Sequence, residues 1–302
     1  MTTVKHVIFL AFLYFAFSIQ DAHAETSSGK HQFVFTEWQG KPLEVWAYTP
    51  SNYAPNSKVL FVMHGVKRDA DRYRDEWAAL AEQHNLLLIV PQFSQENFPR
   101  ALGYNLGNVF ADDKYQQANP PEIWAYSAIE PLFDYVKSRY ANTNNTYNLY
   151  GHSAGSQFVH RFIFFVPDSR TAKIVSANSG WYTTPDFNIG FPYGLKNTMV
   201  TQDNLIASLQ KPVVILLGEA DSDPNDKYLR KAAPAMLQGP HRLARGKFFF
   251  NQAKQASQQY AVNFGWQLAS VPNVGHKNGL MAEAAIAYLG AENDAAELPR
   301  LK

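Results

Sequence analysis

The sequence predicts an α/β fold in which a mostly parallel sheet of eight strands is covered by helices on both faces, without a large cap domain. Eight short segments rich in β-branched and aromatic residues are bounded by turn residues, as strands are. Segments with apolar residues at helical spacing separate most of them, which is typical of parallel strands joined by helical crossovers. No such segment separates the first two strands, and this predicts an antiparallel edge.

Each predicted element rests on its own pattern of apolar residues. The first crossover helix is predicted at Asp71–His84, because Tyr73, Trp77 and Leu80 fall on one face at helical spacing. Pro131 lies in the helical pattern before the fifth strand, so it marks the first turn of that helix or kinks it. The strands are predicted, in chain order, at His31–Phe35, Leu43–Tyr48, Lys58–Met63, Leu86–Val90, Thr146–Tyr150, Ala172–Ala177, Pro212–Leu217 and Trp266–Val271.

The most informative motif is the pentapeptide GHSAG, which runs from Gly151 to Gly155 directly after the fifth strand. It fits the G-x-S-x-G elbow, a sharp turn between strand and helix that presents a nucleophilic serine, here Ser153. Small residues are needed because side chains at these positions would collide with the adjoining strand and helix. Apolar residues at helical spacing follow from Phe158 to Ile163, so the context has the required order. A glycine–serine turn in another kind of α/β protein is the alternative interpretation.

The residues after the elbow supply an acid and a base in the order serine, carboxylate, histidine that this kind of site uses. A serine hydroxyl becomes nucleophilic when a histidine removes its proton, and a carboxylate orients that histidine. The seventh strand is followed by an acidic run, from which we predict Asp221 as the acid, with Asp223 as the alternative. His276 follows the last strand and is the predicted base, whereas His241 lies between helical segments.

The acidic run can also be interpreted as a calcium loop, because Asp221, Asp223 and Asn225 match the first three side-chain ligands of an EF-hand. The sixth position is Asp226 rather than glycine, and the twelfth is Ala232 rather than glutamate. We therefore expect no metal site here, and the sequence predicts no cofactor.

Backbone and aromatic groups around the serine complete the predicted site. The oxyanion of acyl transfer needs preorganised donors, and one is predicted to be the backbone N–H of Ala154. The second is the N–H of Val66, in the loop after the third strand, with Lys67 as the alternative. Trp181 and Tyr182 begin a long aromatic loop after the sixth strand, and we predict that both contact the acyl or aryl part of a substrate.

Composition limits the partners of the chain. A net charge of +1 over 302 residues, without a run of basic and aromatic residues, is not the pattern of a nucleic-acid surface. The absence of cysteine excludes disulfides and thiolate metal sites. A small-molecule substrate and no nucleic-acid partner are therefore expected.

The first residues have the pattern of a secretory signal peptide. Lys5 precedes an apolar run from Val7 to Ile19, and a small-x-small cleavage pattern ends at Ala24. This run is shorter than the ~20 residues that span a bilayer, so no stable membrane anchor is expected after cleavage. We predict a signal peptide at 1–24, a catalytic domain at 25–290, a polar tail at 291–302, and a secreted or periplasmic protein.

These motifs resemble the α/β-hydrolase superfamily, and the chain is similar to its secreted polyhydroxybutyrate-depolymerase and feruloyl-esterase-like branch. The resemblance rests on HG at 64–65, GHSAG, GEAD at 218–221 and GH at 275–276, in the same order, with NSGW at 178–181 for the branch. It implies the eight-stranded hydrolase fold and a serine esterase. The aromatic loop after the sixth strand and the absence of a large lid helix in the sequence pattern predict short acyl or aromatic esters as substrates. An amidase or peptidase with the same machinery, or a catalytically silent binding protein on this scaffold, stays open.

Overall fold

A computed structural model of the chain describes residues 27–290. The predicted signal peptide at 1–24 and the predicted polar tail at 291–302 lie outside the described residues. Within the described part, no helix combines the length and apolar character that a membrane crossing requires.

All eight predicted strands form, and they join into one sheet in the order β1-β2-β4-β3-β5-β6-β7-β8. β1 pairs antiparallel with β2, and β2 pairs antiparallel with β4, whereas the other neighbours are parallel. The predicted fold class and its antiparallel edge are confirmed, with strand ends within two residues of the prediction. The strands are β1 (Gly29–Phe35), β2 (Leu43–Thr49), β3 (Lys58–Met63), β4 (Leu86–Gln92), β5 (Tyr147–His152), β6 (Thr171–Ala177), β7 (Val213–Gly218) and β8 (Trp266–Val271).

Helices cover both faces of the sheet. They are α1 (Ala70–Gln83), α2 (Arg100–Gly103), α3 (Ile129–Arg139), α4 (Ala154–Phe165), α5 (Gln202–Gln210), α6 (Ala233–Met236), α7 (Arg242–Gln259) and α8 (Asn278–Leu289), with short 3₁₀ helices at Pro121–Ile123 and Ala125–Ala128. α1 and α8 pack on the face that carries Leu60 and Val62, and α3, α4, α5 and α7 on the face that carries Phe61 and Met63. These residues alternate because successive side chains of a strand point to opposite faces.

Two details of the helices agree with the sequence. α1 begins one residue before the predicted position, and Pro131 is the third residue of α3. Proline is tolerated there because the first helical turn has no internal partner for its N–H. The parallel strands β5, β7 and β8 end at one edge of the sheet, and this edge carries the predicted site residues.

Candidate active site

Ser153 lies at the sharp turn between β5 and α4. Its backbone has φ 59° and ψ −116°, which is a strained conformation for a residue with a side chain. A Cβ added to Gly155 would overlap the carbonyl oxygen of Met63, and one added to Gly151 would overlap the carbonyl oxygen of Gly155. The turn therefore has room only for glycine at these two positions, as the elbow motif predicts.

The structure brings the predicted serine, histidine and acid into one hydrogen-bonded chain. The hydroxyl of Ser153 donates to Nε2 of His276 across 2.9 Å, and Nδ1 of His276 donates to Oδ2 of Asp221 across 2.7 Å. Asp221 lies just after β7, and His276 lies in the loop between β8 and α8. In this arrangement the histidine can accept the serine proton while the carboxylate holds the ring in orientation.

The two alternatives from the sequence occupy other positions. Asp223 is exposed, and its carboxylate accepts a hydrogen bond from the N–H of Asn225 across 2.8 Å. His241 precedes α7, where its Nδ1 accepts from the N–H of Ala244. Asp221 is buried, with 5% of its surface exposed, and is the acid that the geometry favours.

Arg242 lies beside the acid and was not identified from the sequence. Its buried guanidinium donates from Nη1 to Oδ1 of Asp221 across 3.1 Å and from Nη2 to Oδ1 of Asp226 across 2.8 Å. The hydrogen bond from Arg242 holds the pKa of the Asp226 carboxyl below its usual range. Because a buried carboxylate needs a charged or hydrogen-bonding partner, an arginine that follows an acidic run is the signal that could have revealed this pair.

A second histidine, His152, directly precedes the nucleophile in the chain, and its ring packs against that of His276. The two ring centroids are 4.6 Å apart, and Nδ1 of His152 lies 3.2 Å from the hydroxyl oxygen of Tyr73. Burial, together with the neighbouring His276, lowers the pKa of His152 well below its usual range. His152 is therefore neutral near pH 7 and places no competing positive charge beside His276.

Buried side chains hold the loop that follows β3. Nε2 of His64 accepts from the N–H of Phe93 across 3.0 Å, and the hydroxyl of Tyr104 donates to the carbonyl oxygen of His64 across 2.8 Å. Burial lowers the pKa of His64 to about 3, so its imidazole remains a neutral acceptor. Arg68, in the same loop, donates to the carbonyl oxygen of Phe93. These bonds fix the backbone that carries Val66.

Two cavities meet at Ser153. The imidazole-side cavity, of about 730 Å³, is lined by Ser153, His152 and His276 among others. The tryptophan-side cavity, of about 340 Å³, is lined by Ser153, Ala154 and Trp181 among others. A substrate with its reacting carbonyl at the serine can therefore extend in two directions.

The predicted oxyanion donors, Val66 and Ala154, both border the tryptophan-side cavity together with Ser153. Within residues 27–290, neither backbone N–H donates to a protein acceptor. Both are therefore available to a substrate oxygen. Lys67, the alternative donor, borders the imidazole-side cavity instead.

The two aromatic residues predicted to contact substrate lie in different surroundings. Trp181 lines the tryptophan-side cavity, and the guanidinium of Arg161 lies 4.3 Å from its ring centroid. Tyr182 is fully buried and stacks on Phe249, with ring centroids 4.4 Å apart. It lines neither of these two cavities, so its predicted contact with substrate stays a prediction.

Solved structures give the relationship of the chain to known proteins, whereas no protein-family model and no curated protein matches the sequence. Poly(aspartic acid) hydrolase-1 from Sphingomonas sp. KT-1 is 42% identical with a TM-score of 0.84, and the match covers 87% of this chain and 98% of that one. The chain belongs to the α/β-hydrolase superfamily. The LpqC poly(3-hydroxybutyrate) depolymerase from Bordetella parapertussis is 33% identical with a TM-score of 0.83, over 92% of this chain and 95% of that one.

A more distant structure shares the fold. The S-formylglutathione hydrolase from Agrobacterium tumefaciens is 16% identical with a TM-score of 0.52, over 85% of this chain and 92% of that one. The relatives confirm the predicted superfamily and its depolymerase-like branch, and they show that the chain is a hydrolase by family.

Proposed function

We propose that this hydrolase is an exported serine esterase that cleaves carboxylic esters with short acyl or aromatic groups. The observation that carries the proposal is the hydrogen-bonded chain from Oγ of Ser153 through His276 to Asp221. Two cavities beside the serine, one of them with an aromatic wall at Trp181, support a small ester as substrate. Export rests on the signal-like pattern of residues 1–24.

The proposed reaction begins with attack of Ser153 on the ester carbonyl carbon. Nε2 of His276 accepts the hydroxyl proton as the new C–O bond forms, and the negative charge of Asp221 stabilises the resulting imidazolium. The carbonyl oxygen becomes an oxyanion and accepts hydrogen bonds from the N–H groups of Val66 and Ala154.

The second half of the reaction releases the products. The tetrahedral intermediate collapses, the bond to the alcohol breaks, and His276 returns its proton to the leaving oxygen. The acyl group remains on Ser153 as an ester. A water molecule then attacks the carbonyl carbon of this ester while His276 removes a proton from the water. The second tetrahedral intermediate collapses, the carboxylic acid is released, and His276 returns the proton to the oxygen of Ser153.

Amide hydrolysis is the second candidate. It is favoured by the 42% identical relative, which is named a hydrolase of poly(aspartic acid), a polymer whose units are joined by amide bonds. The same serine, histidine and acid can cleave amides, and the reaction then depends more on the proton that His276 gives to the poorer leaving group. A silent binding protein is disfavoured, because each group that the reaction requires is present at Ser153.

Labelling with a fluorophosphonate probe tests the proposed nucleophile. The protein should incorporate one probe on the peptide that contains Ser153, and the Ser153→Ala variant should incorporate none. A protein that neither reacts with the probe nor turns over any ester or amide would instead be a binding protein.

A substrate panel then separates the esterase from the amidase. Values of kcat/KM for acetyl, butyryl, benzoyl and long-chain esters should favour the short and aromatic ones. A preference for long-chain triglyceride emulsions would overturn the substrate proposal, and a preference for poly(aspartic acid) over every ester would establish the second candidate. For export, the mature protein should begin at Glu25 when the full chain is expressed in a secreting host.

A further inference from the structure

The two cavities beside the serine differ in charge. Among the described residues, four arginines and no carboxylate line the tryptophan-side cavity, whereas four carboxylates and three lysine or arginine side chains line the imidazole-side cavity. The four arginines are Arg68, Arg100, Arg230 and Arg242. One side of the serine therefore has an excess of positive charge that the other side lacks.

Two of these four arginines keep charges that no carboxylate of the described chain balances. Arg242 and Arg100 are each paired with carboxylates. Arg68 and Arg230 take part in none of the ion pairs within residues 27–290. Arg68 donates to backbone carbonyl oxygens, and Nε of Arg230 donates to the hydroxyl oxygen of Tyr193 across 2.6 Å.

A third unbalanced arginine supports the wall of the same cavity. Arg161 is fully buried behind Trp181 and donates to the hydroxyl oxygen of Thr183 and to backbone carbonyl oxygens. Its Nη2 has no hydrogen-bond partner among residues 27–290. Burial lowers the pKa of Arg161 to about 10, so the side chain is still charged near pH 7. Burying a cation without a counter-charge costs free energy, and an anion bound nearby would offset part of that cost.

His276 determines which part of a substrate enters the arginine-rich side. As the group that protonates the leaving alcohol, it must lie beside the leaving oxygen. His276 lines the imidazole-side cavity but not the tryptophan-side cavity, whereas Ala154 and Trp181 line the latter. The leaving group therefore occupies the imidazole side, and the acyl group occupies the tryptophan side.

We propose that the tryptophan-side cavity binds an acyl group that carries its own carboxylate, and that Arg230 contacts this carboxylate. The inference rests on the proposed acyl-transfer function and specifies its substrate class. The guanidinium of Arg230 lies 4.8 Å from the ring centroid of Trp181, and its Nε is held by Tyr193. Its Nη1 and Nη2 donate to no acceptor within the described chain, so both can bind the two oxygens of a carboxylate.

A pair of esters with equal shape and different charge tests the inference. One is the para-nitrophenyl monoester of adipic acid, and the other is the neutral ester in which an isopropyl group replaces the free carboxylate. The ratio of their kcat/KM values, corrected for spontaneous hydrolysis, should exceed one in the full-length enzyme. Because a charge-assisted hydrogen bond contributes more than a neutral one, Arg230→Met should lower this ratio by about tenfold or more.

Two further variants distinguish the effect of a positive charge at position 230 from that of a positive charge elsewhere on the protein surface. Arg230→Lys keeps the positive charge without the planar fork and should retain part of the preference. Lys254→Met removes an exposed positive charge from α7 at a position that lines neither cavity, and it should leave the ratio unchanged. The preference should also weaken as salt is added, because Arg230 is exposed.

The outcomes distinguish this inference from the proposed function. Turnover of both esters without preference for the charged one, or an equal loss for both esters in Arg230→Met, would overturn the carboxylate site and leave the esterase intact. Failure of the full-length enzyme to turn over either ester, together with no fluorophosphonate labelling, would overturn the proposed function and this inference with it.

Discussion

Replacing Asp221 with asparagine tests the part of the site that the sequence left open between two carboxylates. The substitution keeps the shape of the side chain and removes its charge. Asp221 is 5% exposed, and its Oδ2 accepts from Nδ1 of His276 across 2.7 Å. An asparagine can present its NH₂ group to this nitrogen, which favours the wrong tautomer of the imidazole and removes the charge that stabilises the imidazolium.

The expected loss is large because both effects act on the transition state. In serine proteases with the same arrangement, the equivalent change lowers kcat by roughly 10⁴-fold. That factor corresponds to about 5 kcal/mol of transition-state stabilisation. Asp223→Asn is the matched control: its carboxylate is exposed and accepts from the N–H of Asn225, so we expect a change within about threefold, as for most surface substitutions.

Steady-state hydrolysis of a para-nitrophenyl ester by the two purified variants provides the measurement. Circular dichroism and thermal unfolding show whether each variant is folded, which matters because Nη1 of Arg242 loses a charged partner when Asp221 is replaced. A folded Asp221→Asn enzyme with kcat close to that of the unchanged protein would refute the assignment. A folded Asp223→Asn enzyme that loses more activity than Asp221→Asn would show that the other carboxylate is the acid.

Two further substitutions test the roles of Trp181 in the cavity wall and of the buried His64. Trp181→Ala should lower kcat/KM for a benzoyl ester by up to about tenfold more than for an acetyl ester, because the ring contributes apolar contact only to the larger group; equal losses would mean that Trp181 only supports the fold. Burial lowers the pKa of His64 from 6.5 to about 3, so the unfolded chain binds a proton that the folded chain does not over this range. The contribution of His64 to the free energy of unfolding is therefore fully present above its unfolded pKa. It is lost as pH falls from about 6.5 toward about 3, and the free energy of unfolding decreases by about 1 kcal/mol per pH unit over this range. Denaturant titrations at about pH 7 and about pH 5 give the free energy of unfolding at each pH. The decrease from about pH 7 to about pH 5 should be smaller in a folded His64→Gln variant than in the unchanged protein, and an equal or larger decrease would contradict this account.

The sequence predicted those parts of the molecule that have a local pattern. Strands of four to eight apolar or β-branched residues are recognisable from their neighbours alone, and all eight form. The elbow is also recognisable from its own five residues, although the overlap that requires Gly155 is with Met63 in the distant strand β3. The chain order of serine, acid and histidine then limited the acid and the base to a few candidate positions.

The choice between the two aspartates depends on contacts that are distant in the chain. The turn after β7 is bonded to the segment after β8: the N–H of Glu219 donates to the carbonyl oxygen of Val271, and that of Ala220 donates to the carbonyl oxygen of Val274. These bonds hold Asp221 close to His276. No pattern within the acidic run contains this information.

Other features of the site depend equally on tertiary structure. Trp181 and Tyr182 are adjacent and both aromatic, yet one lines a cavity and the other packs on the core, a distinction that composition does not contain. The unbalanced arginines Arg68, Arg161 and Arg230 come from three distant segments of the chain. Their common surroundings arise only when these segments fold around Trp181.

Trapping the acyl-enzyme measures the central claim most directly. When the protein is mixed with an excess of a para-nitrophenyl ester and quenched in acid within milliseconds, intact-mass analysis should show one added acyl group. Peptide mapping should place that group on Ser153, and the Ser153→Ala variant should carry none while remaining folded. An acyl group on any other residue, or full turnover by a folded Ser153→Ala variant, would contradict the account.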